Sequence, residues 1–258
     1  GSPPCASFSM NGNRDDDWGK FKNYSDKGQR TDDLFFEFIR IVNEVRPKTF
    51  VAENVSGLIA GRAKGYFLEI LSAMKAMGYK VEARLLNASW LGVPQNRRRL
   101  IFIGVRSDLE IEPVFPKPLT YRYSVGEALE DPTGMLAPEP ETCMAGYAIE
   151  GEARKLKQGE KSEKYFNLAR AEDYLPCRTI CASWGTGGVA SVFHPTEFRK
   201  FSISEIKRIC SFPSNFILTG TYKQQWERMG RAVPPLMMKA VAETIRDKVL
   251  QRIKNGDS

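Results

Sequence analysis

The chain has 258 residues, 42% hydrophobic and 27% charged, which fits an ordinary globular protein of one large domain, or of a domain with a smaller companion. No run approaches the roughly 18 apolar residues that a membrane helix needs, and five scattered cysteines (Cys5, Cys143, Cys177, Cys181, Cys210) do not make a disulfide framework. The net charge of +7 fits either a polyanionic partner, most simply nucleic acid, or a solvated basic surface.

Residues 10–30 are polar and glycine-containing, with Asp15-Asp16-Asp17, and read as a mobile loop. Over residues 32–45, Leu34, Phe35, Phe38, Ile39, Ile41 and Val42 recur at helical spacing; Asp32 or Asp33 can cap this helix and Pro47 stops it. Residues 49–53 form a β-prone run that ends in the turn Asn54-Val55-Ser56-Gly57. A second helix over 65–77 carries Phe67, Ile70, Leu71 and Met74 on one face, with Gly78 as its stop. Strands follow over 79–86 and 99–105, and this alternation predicts an α/β sheet covered on both faces. After Arg106, prolines, glycines and charge runs replace long periodic segments. The reading is therefore a core over 1–106, a small irregular domain over 107–200, and a return to the core over 201–258. That return contains a helix at 204–209 and a long last helix over 234–253, with proline in its first turn.

Three segments carry chemistry. Pro3-Pro4-Cys5 holds a thiol on a rigid backbone, as a nucleophile requires, although a buried structural cysteine has the same look. Glu53, in Ala52-Glu53-Asn54-Val55, ends a strand, where α/β folds bind ligands; a solvated carboxylate is the plainer alternative. Pro94-Gln95-Asn96-Arg97-Arg98-Arg99 precedes an apolar strand, and alternation would aim Arg97 and Arg99 into one site with Arg98 away from it. Cys177 and Cys181 have no second pair or neighbouring histidine to complete a zinc site, and the one histidine is His194.

Taken in order, these segments resemble the DNA cytosine-5 methyltransferase family: residues 1–9 its nucleophile loop, Glu53-Asn54-Val55 its second motif, and Gln95-Asn96-Arg97-Arg98-Arg99 its third. Residues 203–216 and Gly230-Arg231-Ala232-Val233-Pro234-Pro235 resemble its last two motifs, and the middle of the chain stands where the family has its target-recognition domain. The resemblance implies a Rossmann-like α/β methyltransferase fold, S-adenosylmethionine as methyl donor, double-stranded DNA as partner and no metal. It casts Cys5 as the thiolate that attacks C6 of a flipped cytosine. Glu53 then contacts N3 and the amino group, a role that favours a carboxyl with its pKa raised by burial. Arg99 and Arg97 hold O2 and the loop, and Asn54 steadies the turn. Pro4, Leu34, Arg231 and Ala232 fall at donor-binding positions, and Ser9, Gln95 and Thr179 at DNA-contacting ones.

The chain departs from the family where Ala6 replaces the usual Gln and Arg231 replaces an Asn. The family's opening Gly-rich strand turn has no counterpart after Gly1, so the expectation is a fold lacking its first strands, with a donor-binding half in a missing amino-terminal segment or on a partner subunit. A non-catalytic DNA-binding or regulatory subunit derived from the family is one rival expectation, and the RNA-methylating branch that shares these motifs is another. The expected setting is a cytoplasm, prokaryotic or phage-encoded.

Overall fold

The computed structural model describes residues 1–3, 22–23, 28–29, 34–60, 63–130, 139–182 and 191–255. These form two contact-dense units, one of residues 1–86, 98–116 and 241–258, the other of residues 87–97 and 117–240.

In the first unit, the short strands β1 (Lys22–Asn23) and β2 (Gly28–Gln29) pair antiparallel. The rest of the predicted loop at 10–30, and the caps assigned to Asp32 and Asp33, lie outside the described residues. Helix α1 (Leu34–Val45) buries Phe35, Ile39 and Val42, a stripe at i, i+4 and i+7. It leads to strand β3 (Thr49–Val55), helix α2 (Ala63–Ala76), which buries Tyr66, Ile70 and Met74, and strand β4 (Tyr79–Asn87). Gly78 ends α2 at φ 81°, a left-handed conformation that favours glycine.

A two-residue strand, β5 (Gln95–Asn96), precedes β6 (Arg98–Arg106), and β6 lies between β3 and β4 in the sheet. It runs antiparallel to β3, from Thr49 opposite Val105 to Val55 opposite Arg99. Every residue from 100 to 105 of β6 is buried, as in a strand covered on both faces. Phe35 packs edge-on to Phe102, and Phe50 to Tyr79, in this core. Along β3, Gly1 N donates to Val51 O (2.8 Å) and Glu53 N donates to Gly1 O (3.0 Å). Bonds to both neighbours of Ala52 are the parallel pattern, so residues 1–3 run beside β3 in its own direction.

The second unit holds α3 (Val125–Leu129), α4 (Glu150–Ala153), β7 (Ala169–Arg170), β8 (Cys177–Arg178), β9 (Val192–Phe193), α5 (Ile203–Ile209) and α6 (Tyr222–Arg231). Capping boxes start three of the helices: Ser124 with Glu127, Ser202 with Glu205, and Thr221 with Gln224. β5 pairs in parallel with β8, and β7 with β9. The final helical stretch runs from α7 (Pro235–Ile245) through a π-helical turn (Arg246–Leu250) into α8 (Gln251–Asn255).

The structure divides the chain differently from the predicted boundaries at 107 and 201. Residues 107–116 belong with the first unit and 201–240 with the second. The cause is packing: Ile203, Ile206, Ile209, Trp226 and Met229 of α5 and α6 share one buried cluster with Val125, Ile180 and Phe193.

Candidate active site

Glu53 is 7% exposed near the end of β3, and its carboxyl is held from two directions. Oε1 pairs with Arg99 Nε at 2.9 Å, and Oε2 accepts from the Ser2 hydroxyl. The register explains the first contact: Arg99 stands opposite Val55, diagonal to Glu53 on the same face of the sheet. Asn54, 3% exposed, donates from Nδ2 to Pro3 O (3.1 Å) and accepts Val55 N at Oδ1 (2.8 Å). Glu53, Asn54, Arg99 and residues 1–3 therefore form one hydrogen-bonded group, and the chain leaves Pro3 toward Pro4 and Cys5. Cys5, Pro4 and Ser9 themselves lie outside the described residues.

The predicted pairing of Arg97 with Arg99 on one strand face is not what the structure shows. Arg97 N donates to Gln95 O (3.0 Å), a tight turn between β5 and β6 that breaks strand alternation. Arg97 is 2% exposed, and its guanidinium donates to Ile180 O (3.0 Å) and Gly230 O (2.8 Å). Both of its terminal nitrogens thus hold main-chain carbonyls.

Gln95 is fully buried; it accepts Ile180 N at Oε1 (3.3 Å) and donates to Cys210 Sγ (3.1 Å), so its amide is turned inward. Thr179 is half-buried; its hydroxyl donates to Asn96 O (2.6 Å) and it lines a cavity of about 420 Å³. Of the donor-site candidates, Leu34 is half-buried at the start of α1, and Ala232 caps the end of α6. The exposed Arg231 pairs with Glu227 one helical turn earlier, within α6.

Burial pushes the thiols of Cys177 and Cys210 up, Cys210 to about 11, which keeps both protonated and inert at neutral pH. Three residues with clear roles carried no separate signal in the sequence. Ser2 orients Glu53, and Trp226 Nε1 donates to Cys181 O (2.8 Å). Arg122 stacks on Trp90 and donates to Asn96 Oδ1 at 2.5 Å.

The family model described as C-5 cytosine-specific DNA methylase matches residues 1–247. The type II methyltransferase M1.HphI of Haemophilus parahaemolyticus is 31% identical over 261 residues, covering 95% of this chain and 67% of that protein. M.DdeI of Desulfomicrobium norvegicum is 30% identical over 310 residues, covering 95% and 71%. Among solved structures, a prophage-encoded E. coli protein described as a DNA modification methyltransferase aligns with TM-score 0.70 at 19% identity, over 96% of this chain and 78% of that one. The Entamoeba histolytica methyltransferase EhMeth aligns with TM-score 0.62 at 18% identity, over 95% and 76%. The structural likeness shows an α/β methyltransferase fold, and the match over nearly the whole chain shows that it belongs to the C-5 cytosine-specific DNA methylase family, as a DNA cytosine-5-methyltransferase.

Proposed function

We propose that the protein transfers a methyl group from S-adenosylmethionine to C5 of a cytosine swung out of double-stranded DNA, through a covalent bond between Cys5 and C6. The observation that carries this reading is the Glu53 carboxyl, buried at a strand end and aimed by Arg99 and Ser2 beside the segment that leads into Pro3-Pro4-Cys5. Flipping is required because the ring carbons are covered inside the stack; it costs a few kcal/mol.

Cys5 Sγ adds as thiolate to C6 while Glu53 hydrogen-bonds N3 and the amino group and stabilises the protonated ring nitrogen. Arg99 holds the carboxyl in register and faces O2. The addition leaves C5 electron-rich. The methyl group passes to C5 from the sulfonium of S-adenosylmethionine, whose sulfur keeps the bonding pair and leaves as the neutral thioether S-adenosylhomocysteine. A base then takes the C5 proton, the electron pair restores the ring, and the C6–S bond breaks to return Cys5. Burial of Cys177 and Cys210 removes them as rival thiols. The type II methyltransferase names of the relatives support a place in a restriction–modification system of a prokaryotic cytoplasm.

The test is methyl transfer from labelled S-adenosylmethionine to duplex DNA by the product of the whole reading frame. The expected result is label on cytosine C5, abolished in Cys5→Ser with duplex binding retained, because binding rests mainly on phosphate contacts. Unimpaired transfer by Cys5→Ser would overturn the covalent route. No transfer by the unaltered protein would leave the rival reading, a non-catalytic DNA-binding subunit.

A further inference from the structure

Residues 177–181 are fixed on nearly every side. Cys177 N donates to Pro94 O (2.9 Å), the Thr179 hydroxyl to Asn96 O, Ile180 N to Gln95 Oε1, Arg97 to Ile180 O, and Trp226 Nε1 to Cys181 O. Arg178, in the middle of this braced segment, has its side chain exposed. It lines the cavity of about 420 Å³ together with Thr179, Arg170 and Glu172.

The two arginines differ. Arg170 is occupied by the carbonyls of Pro195 (2.7 Å), Leu156 (3.3 Å) and Thr196 (3.0 Å), and it stacks on Phe193. The hydrogen bond of Arg178 runs from one N–H of Nη2 to Gly159 O (3.1 Å), and the second N–H of Nη2 still forms a two-pronged edge with Nε or with Nη1. A rigid strand thus presents an arginine fork to a polar hollow that also holds a carboxylate.

We propose that Arg178 and Glu172 read a G·C base pair of the target sequence from the major groove. The chemistry selects this ligand. Guanine offers O6 and N7 to an arginine fork, and its cytosine partner offers the N4 amino group to a carboxylate. A phosphate would satisfy Arg178 but meet repulsion from Glu172, and an A·T pair lacks the paired acceptors of guanine. The inference rests on the methyltransferase reading above and adds to it a named specificity determinant.

The test begins by mapping the methylated sequence of the unaltered protein by bisulfite sequencing. Next, kcat/KM is measured for the unaltered protein, Arg178→Ala and Glu172→Gln on the target duplex, on duplexes changed at each base pair, and on duplexes with 7-deazaguanine at each guanine. Arg178→Ala should lower kcat/KM on the target about 5- to 150-fold and lose discrimination at one G·C position only. At that position 7-deazaguanine should slow the unaltered protein and leave Arg178→Ala unaffected, while Glu172→Gln weakens the same preference. Equal loss on all sequences with a shallower salt dependence would mark a phosphate contact and overturn the proposal, as would unchanged discrimination. Absence of methylation by the unaltered protein would instead remove the methyltransferase reading, and this inference with it.

Discussion

Glu53 takes its orientation from two distant points of the chain, Ser2 and Arg99, and a group placed this way acts as a unit with its supports. Glu53→Gln keeps the size of the side chain but cannot stabilise a protonated ring nitrogen. Its single-turnover methylation rate should fall about 10²- to 10⁴-fold, with duplex affinity nearly unchanged. Arg99→Ala should lower the same rate, and the double variant should be little worse than the poorer single one, since both remove one arrangement. Fully additive losses in single-turnover assays would count against the shared role. Glu53 was legible in the sequence as a strand-end carboxylate. The separate fates of Arg97 and Arg99 were not, because alternation assumes a continuous strand and the turn from Arg97 N to Gln95 O interrupts it.

At the scale of elements, α6 ends where its backbone meets the segment after β8. A Cβ on Gly230 would stand 2.5 Å from Cys181 O and 2.6 Å from Ala182 N and Cα, all main-chain atoms that cannot yield cheaply. Gly230→Ala should therefore cost about 1–3 kcal/mol and lower Tm by several degrees in calorimetry. Gly65, inside α2, has nothing within 4 Å of such a Cβ, so Gly65→Ala should stabilise the protein by roughly 0.5–1 kcal/mol. The same substitution thus has opposite signs in two helices, decided by what lies next to each. Helices α1 and α2 and strands β4 and β6 were readable because each is nine or more residues long, whereas β3 was legible only as far as residue 53 and runs on through Asn54 to Val55, which read as a turn in the sequence. Strands β5, β7, β8 and β9 have two residues each, too few to show a period, and exist through their partners.

Each unit has its own buried cluster, and one buried network makes the second unit sensitive to pH. His194, 6% exposed, accepts Glu197 N at Nδ1 (3.0 Å) and is faced by Arg199, Glu205, Glu197 and Asp173. Burial, aided by the Arg199 charge, lowers its pKa from 6.5 against the opposing pull of the carboxylates. Unfolded His194 takes up a proton that the folded protein resists. Stability is therefore complete above about pH 6.5 and falls as pH drops below it. Calorimetry from about pH 7.5 to 5.5 should show a declining Tm, with a flatter profile in His194→Gln; because the chain has one histidine, no other imidazole contributes. The whole-chain charge of +7 leads to a second expectation, that duplex binding weakens at least about tenfold between roughly 50 and 200 mM salt. A flat salt response in a binding titration would remove the electrostatic account of DNA affinity.

The sequence by itself determined the family, the α/β alternation and the order of the chemical motifs, because these reside in residue identity and short-range periodicity. Tertiary structure alone decided which polar side chains meet. It turned Arg97 and Gln95 inward to satisfy carbonyls, an amide and a thiol, paired Arg99 with Glu53 across a strand register, and drew α5 and α6 into the core of the second unit. The physical reason is that a buried polar group must find its hydrogen-bond partner wherever the fold brings one, and Arg97 finds its carbonyls 83 and 133 residues away in the chain.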